Sequence, residues 1–294
     1  MKFDLFKRFI HKQAEKPDRP SIQFSCFTHP GKVRSNNEDS FLMLPEMGVW
    51  AVADGMGGHN CGEVASAVGL MTLHRELASG AKLIEAIQRA HLEIKEQAFK
   101  NTEAQGMGMT LVAVQIEEGR YRIAWVGDSR AYLWRNGLRQ LTKDHSYVQM
   151  LMDQGLIDEQ SAKTHPYKNV ITQAIGSSDK EAVQVDVVEE KREKKDIVLL
   201  CSDGLTNQVP DSTIAAILAG EGSLDNKAEQ LLTEALATAA DDNITLILLA
   251  ESQTILNVDE NSASGCPLKD AVNPAPKLAI ILNIAKGLWN LGAG

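Results

Sequence analysis

Cysteines and aromatic residues are scarce in this 294-residue sequence, which contains 4 cysteines and only 5% aromatic residues. The cysteines are Cys26, Cys61, Cys201 and Cys266. No two of them have the Cys-x-x-Cys spacing of a zinc site or a redox motif, and Cys201 lies inside an apolar run. We therefore interpret them as reduced packing residues of a cytosolic protein, and a zinc site is not predicted.

Long apolar runs are also missing. The N-terminus has basic residues but neither an uninterrupted apolar stretch nor a small-residue cleavage site, so a secretory signal is not predicted. The apolar run at residues 278–282 is interrupted by Asn283 and is too short to span a bilayer. We expect a soluble, cytoplasmic protein.

Basic residues are in deficit, with 30 Lys and Arg against 39 Asp and Glu, a formal net charge of -9 and a pI near 5.3. Because most of such a surface repels a polyanion, broad nucleic-acid binding is not predicted, although a local basic patch could override this. The hydrophobic content of 44% is ample for a single packed core.

The apolar pattern divides the chain into a central domain and two extensions. Residues 1–20 form a basic amphipathic extension that ends in a linker at Pro17–Pro20, where the prolines break a helix. We place the compact domain at residues 21–251, with an irregular helical insertion at about 144–176. Residues 252–294 are predicted to form a polar linker and a short apolar tail.

Within the central domain, apolar alternation and helical spacing predict a mixed order of elements. Strands are predicted at 22–27, 41–44, 49–53, 111–116, 121–126, 131–134, 182–188, 197–201 and 244–249, and helices at 63–77, 81–99, 212–219 and 227–240. The strands follow one another as hairpins and the helices are grouped between them. This order favours an α+β antiparallel sandwich over a doubly wound parallel sheet.

Four aspartates lie at the ends of short apolar runs. Asp54, Asp128 and Asp203 each belong to an Asp-Gly or Gly-Asp pair, and Asp242 comes just before the run that begins at Ile244. An isolated buried carboxylate destabilises the end of a strand, so several of them together indicate a cation between them. Because the ligands are hard oxygens, the expected ion is magnesium or manganese.

Five motifs in order carry a family resemblance. They are Arg34-Ser35-Asn36-Asn37-Glu38-Asp39, Val52-Ala53-Asp54-Gly55-Met56-Gly57-Gly58-His59, Gly127-Asp128-Ser129-Arg130, Ser202-Asp203-Gly204-Leu205 and Asp242-Asn243. Over roughly residues 22–250 the chain resembles the metal-dependent protein phosphatases, the protein phosphatase 2C-like serine/threonine phosphatases, and in particular their bacterial branch. The resemblance implies an α-β-β-α sandwich of two antiparallel sheets flanked by helices, with a two-metal site at one edge.

The resemblance also implies metal ligands. Asp54 would bridge two Mn²⁺ or Mg²⁺ ions, Asp203 and Asp242 would complete the first, and the backbone carbonyl of Gly55 would serve the second. Two such ions about 4 Å apart lower the pKa of a bridging water and clamp a phosphoryl oxygen, so hydroxide attacks phosphorus directly. No phosphoenzyme is expected.

Further residues complete the implied site. Glu38 and Asp39 would mostly hold metal-bound waters, and Asp128, together with Asp203, matches a third metal position of bacterial relatives. Arg34 can hold the substrate phosphate through its planar fork of donors, which lysine could not reproduce. We assign the catalytic roles to Arg34, Asp54 and Asp203.

Each of these residues also has a plainer interpretation. Asp54 and Asp203 could be ordinary turn residues, Asp242 could merely precede a strand, and Arg34 could be a surface ion-pair partner of Glu38. The occurrence of five motifs in order favours the functional interpretation.

Some positions depart from the family pattern. Met56 stands where many eukaryotic members carry a histidine proposed as general acid, and methionine cannot donate a proton. His59 is near in sequence but is more often structural, so the general acid is not identified. In the flap region of the family, this chain has Lys168 and Gln173 where arginines are usual, and Met109 replaces a usual threonine. These changes leave substrate choice open.

The predicted function is hydrolysis of phosphoserine and phosphothreonine on proteins, opposing a cytoplasmic serine/threonine kinase in a bacterium. One alternative is a catalytically silent phosphoprotein-binding module, which the intact Asp54, Asp203 and Asp242 disfavour. The other is a two-metal enzyme of another kind, either a nuclease or a phosphomonoesterase of small molecules. The acidic charge disfavours the nuclease, and a panel of phosphopeptides would test the phosphomonoesterase. We expect a monomer.

The extensions lie outside the resemblance. Phe3, Phe6 and Ile10 fall on one helical face among basic residues, and the tail offers an apolar segment with Trp289. That composition suits weak contact with the inner face of a membrane. The alternative is that both ends dock on the domain or on a partner protein.

Overall fold

The computed structural model describes residues 22–57, 61–100, 104, 106–177 and 181–251, and the backbone of two short strands at Phe9–Ile10 and Ala279–Ile281. The strands are β1 (Phe9–Ile10), β2 (Ile22–His29), β3 (Asp39–Leu44), β4 (Val49–Met56), β5 (Gly108–Met109), β6 (Leu111–Glu117), β7 (Arg120–Val126), β8 (Arg130–Trp134), β9 (Leu138–Gln140), β10 (Asp186–Lys191), β11 (Ile197–Cys201), β12 (Ile244–Glu251) and β13 (Ala279–Ile281). The helices are α1 (Cys61–Ala78), α2 (Leu83–Lys100), α3 (Tyr147–Asp153), α4 (Glu159–Lys163), α5 (Asp203–Thr206), α6 (Asp211–Ala219) and α7 (Leu224–Ala237), with a 3₁₀ turn at Pro45–Met47.

The strands form two antiparallel sheets. The first has the order β1-β2-β12-β11-β8-β9 and the second the order β10-β7-β6-β4-β3-β13, with β5 paired to the end of β4. Helices α1 and α2 cover the outer face of the second sheet, and α6 and α7 cover that of the first. The predicted α+β class and the α-β-β-α sandwich are confirmed.

Side chains of β4 show why its sequence is apolar without interruption. Trp50 and Val52 point between the sheets, whereas Val49, Ala51 and Ala53 point toward the helices. Because both faces of the strand are buried, every position must be apolar until the polar sequence at its end. The same arrangement brings the polar residues at the strand ends to one edge of the sandwich.

Several element boundaries differ from the prediction, and three regions show how. The strand predicted at 182–188 is found at Asp186–Lys191, where it pairs with β7 at the edge of the second sheet. The last helix begins at Leu224, because Ser223 caps it by accepting a hydrogen bond from the Asn226 amide, and it ends at Ala237. Only two short helices, α3 and α4, form within the insertion at 144–176.

The ends of the described chain add one strand to each sheet. Phe9–Ile10 pairs with β2 and Ala279–Ile281 pairs with β3, both antiparallel. The helix predicted to carry Ile10 is therefore wrong at that residue, because the open edge of β2 offers backbone partners to it. The other residues of both extensions lie outside the described ones, as does His59. Among the described helices, none has the length and apolar character needed to cross a bilayer.

Candidate metal and phosphate site

The first pair of acidic residues is brought together by strand register. Asp39, at the start of β3, lies directly opposite Asp54 near the end of β4. Gly55 follows Asp54 and pairs with Met109 of β5. A Cβ at Gly55 would lie 2.0 Å from the Gly62 carbonyl oxygen, so α1 can approach only because residue 55 is glycine.

The second pair comes from the first sheet. Asp203 begins α5 just after β11, and Asp242 lies two residues before β12, which pairs with β11. Ser202 connects the two sheets, because its hydroxyl donates to Asp39 Oδ2 at 2.7 Å and accepts from the Thr245 amide at 3.0 Å. The predicted acidic residues therefore meet at one edge of the sandwich.

The turn that carries Asp128 is held from two sides. Gly127 has φ of +103°, and a Cβ there would lie 2.6 Å from Thr110. The Gly127 amide donates to His145 Nδ1 at 3.1 Å. Thr110 shares a 2.7 Å hydrogen bond with Ser129, and its amide donates to the Asp54 carbonyl at 2.8 Å.

Arg34 and Glu38 lie on the loop between β2 and β3. The Arg34 guanidinium donates to Asp242 Oδ2 at 3.0 Å, and its charge also lowers the pKa of Glu38, against the larger raising effect of burial. Glu38 is held through its backbone, because its amide donates to Asn243 Oδ1 at 2.8 Å. The Arg34 side chain is 53% exposed.

A cavity of about 580 Å³ opens beside this site. Asp128 and Asp203 lie among its lining residues, together with Lys168 and Asn169 of the flap (residues 144–176) and Asp211 of α6. It is large enough for several side chains of a polypeptide.

Comparison with known proteins decides the family. The protein phosphatase 2C sequence model matches residues 32–243. The chain belongs to the protein phosphatase 2C family. It is 38% identical to a serine/threonine phosphatase, stp, of Listeria monocytogenes over 241 residues, which are 77% of this chain and 95% of the relative.

Solved structures of protein phosphatase 2C relatives agree with the fold. The serine/threonine phosphatase PstP/Ppp of Mycobacterium tuberculosis superposes with a TM-score of 0.72 and 33% identity, covering 79% of this chain and 99% of that one. The catalytic domain of PstP in complex with two manganese ions gives a TM-score of 0.70 and 32% identity, covering 78% and 97%. The chain is thus a metal-dependent protein serine/threonine phosphatase, which confirms the predicted family, bacterial branch and reaction.

Burial and mutual repulsion raise the pKa values of the acids in this phosphatase. Burial raises the pKa of Asp39 to about 7, and the charges of Asp203 and Asp242 add to the effect of burial. Burial likewise raises the pKa of Asp203 to about 6, with Asp242 contributing. Burial also raises the pKa values of Asp54 and Asp128 well above the usual value, and neighbouring aspartates raise them further. These shifts show that the carboxylates share one electrostatic site.

The residues present fit a hard divalent cation. Among the described side chains, Asp39 Oδ1 and Asp203 Oδ1 are buried carboxylate oxygens without a hydrogen-bond partner. Within those residues no group of three or more His, Cys, Asp or Glu side chains is arranged to hold a metal ion by itself, so a backbone carbonyl and waters would have to supply further ligands. Open coordination by a few carboxylates, a backbone carbonyl and waters is the usual arrangement for Mg²⁺ and suits catalysis.

Sequence reasoning assigned no separate roles to Ser202, Thr110, Asn243 and His145, which support the site. Ser202 and Asn243 belong to the recognised motifs, but nothing in their spacing shows which atoms they contact. Cys26, Cys61 and Cys201 are buried, and all three pack in the core clusters. Cys266 lies outside the described residues.

Proposed function

We propose that this phosphatase uses two Mn²⁺ or Mg²⁺ ions, with a third position at Asp128 and Asp203. Asp54, Asp203, Asp242 and the Gly55 carbonyl would hold the first two ions, and Glu38 and Asp39 would hold their waters. The observation that carries the proposal is the pair of buried carboxylate oxygens without partners at Asp39 and Asp203. Such oxygens are costly to bury unless a cation or a proton satisfies them.

When bound, the ions supply Lewis-acid activation of water and of the phosphoryl group. The side chains of the chain have separate tasks. Ser202 orients Asp39 by donating its hydroxyl to Oδ2, which leaves the buried Oδ1 without a hydrogen-bond partner. Thr110 ties the Asp54 backbone to the turn of Asp128. Met56 cannot protonate the leaving alkoxide, so another group must do so.

Arg34 is proposed to bind the phosphoryl group of the substrate. It already donates to a carboxylate, Asp242, and half of its side chain is exposed, so an incoming phosphate monoester can compete for the same donors. The cavity beside the site would accept the polypeptide that flanks the phosphorylated residue, with Lys168 on its wall. The substrates would be phosphoserine and phosphothreonine proteins.

Metal titration of the full chain tests the ligand set. After chelation and dialysis, Mn²⁺ is titrated calorimetrically into wild type, Asp203→Asn and Asp242→Asn. Asp241→Asn is the matched control, because Asp241 is the sequence neighbour of Asp242 but is exposed and bonded to Gln208. We expect weakened or lost sites in the first two variants and unchanged binding in the control. Equal effects of Asp241→Asn and Asp242→Asn would exclude Asp242 as a specific ligand.

We further propose that the phosphatase is a cytoplasmic monomer that opposes a serine/threonine kinase. Light scattering of the purified chain tests the oligomeric state, and removal of phosphate from an autophosphorylated kinase of the same organism tests the partner. Weak membrane contact through the extensions stays a prediction. It requires that the full chain bind anionic liposomes and that a 21–251 fragment, still active, does not.

A further inference from the structure

We infer that Asn243 is a positioning residue that holds the Arg34 loop, residues 30–38, in place for phosphate binding. The inference rests on the phosphate-binding role proposed for Arg34. Asn243 lies between Asp242 and the first residue of β12 and is 5% exposed. Its backbone is therefore fixed by the first sheet, while its side chain reaches the loop.

The side-chain amide group of Asn243 forms three hydrogen bonds to backbone atoms of the Arg34 loop. Its Nδ2 donates to the Pro30 carbonyl at 3.0 Å and to the Asn36 carbonyl at 2.9 Å. Its Oδ1 accepts from the Glu38 amide at 2.8 Å. Both Nδ2 protons are used, which a shorter or charged side chain could not reproduce.

The three contacts lie on both sides of Arg34. Pro30 precedes it, and Asn36 and Glu38 follow it, so the amide draws the two ends of the loop to one point. The contacts are to backbone atoms, so they constrain the path of the chain whatever its side chains do. The Arg34 side chain itself is exposed and forms an ion pair with Asp242. Its position therefore depends on the loop more than on its own contacts.

The near end of the loop has attachments of its own. The Lys32 amide donates to the Ala240 carbonyl at 2.7 Å. Gly31 has φ of +78°, and a Cβ there would lie 2.2 Å from the Asp242 carbonyl oxygen.

The far end is also attached, because the Glu38 carbonyl accepts from the Ser66 hydroxyl at 2.7 Å and from the Gly55 amide at 3.2 Å, and Asn37 Nδ2 donates to Thr28 Oγ1 at 2.8 Å. Removing the Asn243 side-chain amide should therefore loosen the part between these attachments, at 33–36, which carries Arg34.

A looser loop should weaken phosphate binding more than the chemical step, because the guanidinium must be ordered again for every substrate molecule. We expect Asn243→Ala to raise KM for a phosphoserine peptide more than it lowers kcat. The fall in kcat/KM should be roughly 5- to 30-fold, which corresponds to one or two kcal/mol.

A double-mutant cycle on the full chain at saturating Mn²⁺ tests this. The variants are Asn243→Ala, Arg34→Ala and the double variant, assayed with the same phosphoserine peptide. Gln88→Ala is the matched structural control. The side-chain amide of Gln88 also joins two segments, because it donates to the Val183 carbonyl and accepts from the Val183 backbone amide. Gln88 lies on α2, away from the site. Asn243→Ser, a milder change, replaces Asn243→Ala if that variant does not fold.

If Asn243 acts through Arg34, its substitution should lower kcat/KM by less than about 2-fold in the Arg34→Ala background, because the positioned group is already gone. Gln88→Ala should lower Tm without changing KM. An equal factor for Asn243→Ala in both backgrounds would overturn the inference, as would a loss of Tm with unchanged KM. An unchanged KM in Arg34→Ala alone would instead refute the phosphate-binding role of Arg34 and this inference with it.

Discussion

The acidic edge of the sandwich and the flap are built in different ways. The acidic edge lies on long strands in fixed register, in which Asp39 lies opposite Asp54. The Ser202 hydroxyl that bonds to Asp39 there is buried. The flap contains two short helices, and its surface exposes Leu156 and Tyr167 at 65% and 59%. A rigid scaffold suits the groups that must be placed within a fraction of an ångström, whereas a loosely packed surface can vary with substrate.

The flap is nevertheless attached to the acidic edge at its base. Ile175 exchanges two backbone hydrogen bonds of 2.9 Å with Met109, which in turn pairs with Gly55. At the other end, Arg130 donates to both carboxylate oxygens of Asp144, at distances of 2.7 to 3.1 Å. The two regions therefore differ in burial and in the length of their elements but share a backbone connection. Substitutions in each should separate chemistry from substrate choice.

The largest expected effect is at the rigid edge. Asp203→Asn should lower kcat by about 100-fold or more on every substrate, because an amide removes a charge that the cation needs. Kinetics with p-nitrophenyl phosphate and with a phosphopeptide at limiting Mn²⁺ measure it, and circular dichroism checks the fold. Near-wild-type activity at limiting Mn²⁺ would contradict the assignment.

Arg34, at the margin of the rigid edge, should have the next largest effect. Arg34→Ala should cost about 1.5 to 3 kcal/mol of substrate binding, the range for hydrogen bonds to charged groups, mostly as a higher KM. Arg34→Lys keeps the charge but not the planar fork and should recover only part of the loss. Full recovery with lysine would show that charge alone matters, and unchanged kinetics in both would return Arg34 to a surface role.

Stabilisation by metal should depend on pH in a defined direction. The folded pKa values of Asp39 and Asp203, about 7 and about 6, lie above their ordinary value of 3.8. In the metal-free protein, the stability linked to these groups is therefore fully present below that ordinary value and is lost as pH rises through about 6 to 7. Protons and cations compete for the same oxygens, so Mn²⁺ should stabilise the protein more at pH 8 than at pH 5.5.

At a concentration near 100 times Kd, the shift at pH 8 should be roughly 5 to 10 °C. Thermal unfolding with Mn²⁺ and with chelator at both pH values measures it. Equal shifts at pH 5.5 and pH 8 would be inconsistent with carboxylates that must lose protons to bind metal.

The smallest effect is expected in the flap. Lys168→Ala should change kcat/KM for phosphopeptides by no more than about 5-fold, the range for an exposed charge, and should leave p-nitrophenyl phosphate unaffected. Lys100→Ala, at the exposed end of α2, is the control. Equal losses on both substrates would mean that Lys168 serves the chemistry and that the flap is not separate from the rigid edge.

Much of the architecture could be predicted from the apolar pattern. The continuous apolar runs around Val52 and Leu200 predicted strands, and both strands are found, with side chains buried on both faces. Errors occurred where the pattern is weak. Strand β10 alternates between half-buried and exposed residues at a sheet edge, so its limits are set by pairing with β7 and not by its own composition.

The positions of Asp54, Asp128, Asp203 and Asp242 were determined by the sequence alone, because a carboxylate at the end of a buried strand is a local pattern. Tertiary structure alone decided which side chains these site residues contact. Asp39 meets Ser202 across 163 positions of the chain, and Arg34 meets Asp242 across 208. Such contacts follow from the stacking of two sheets and the register of their strands, and no local pattern contains that information.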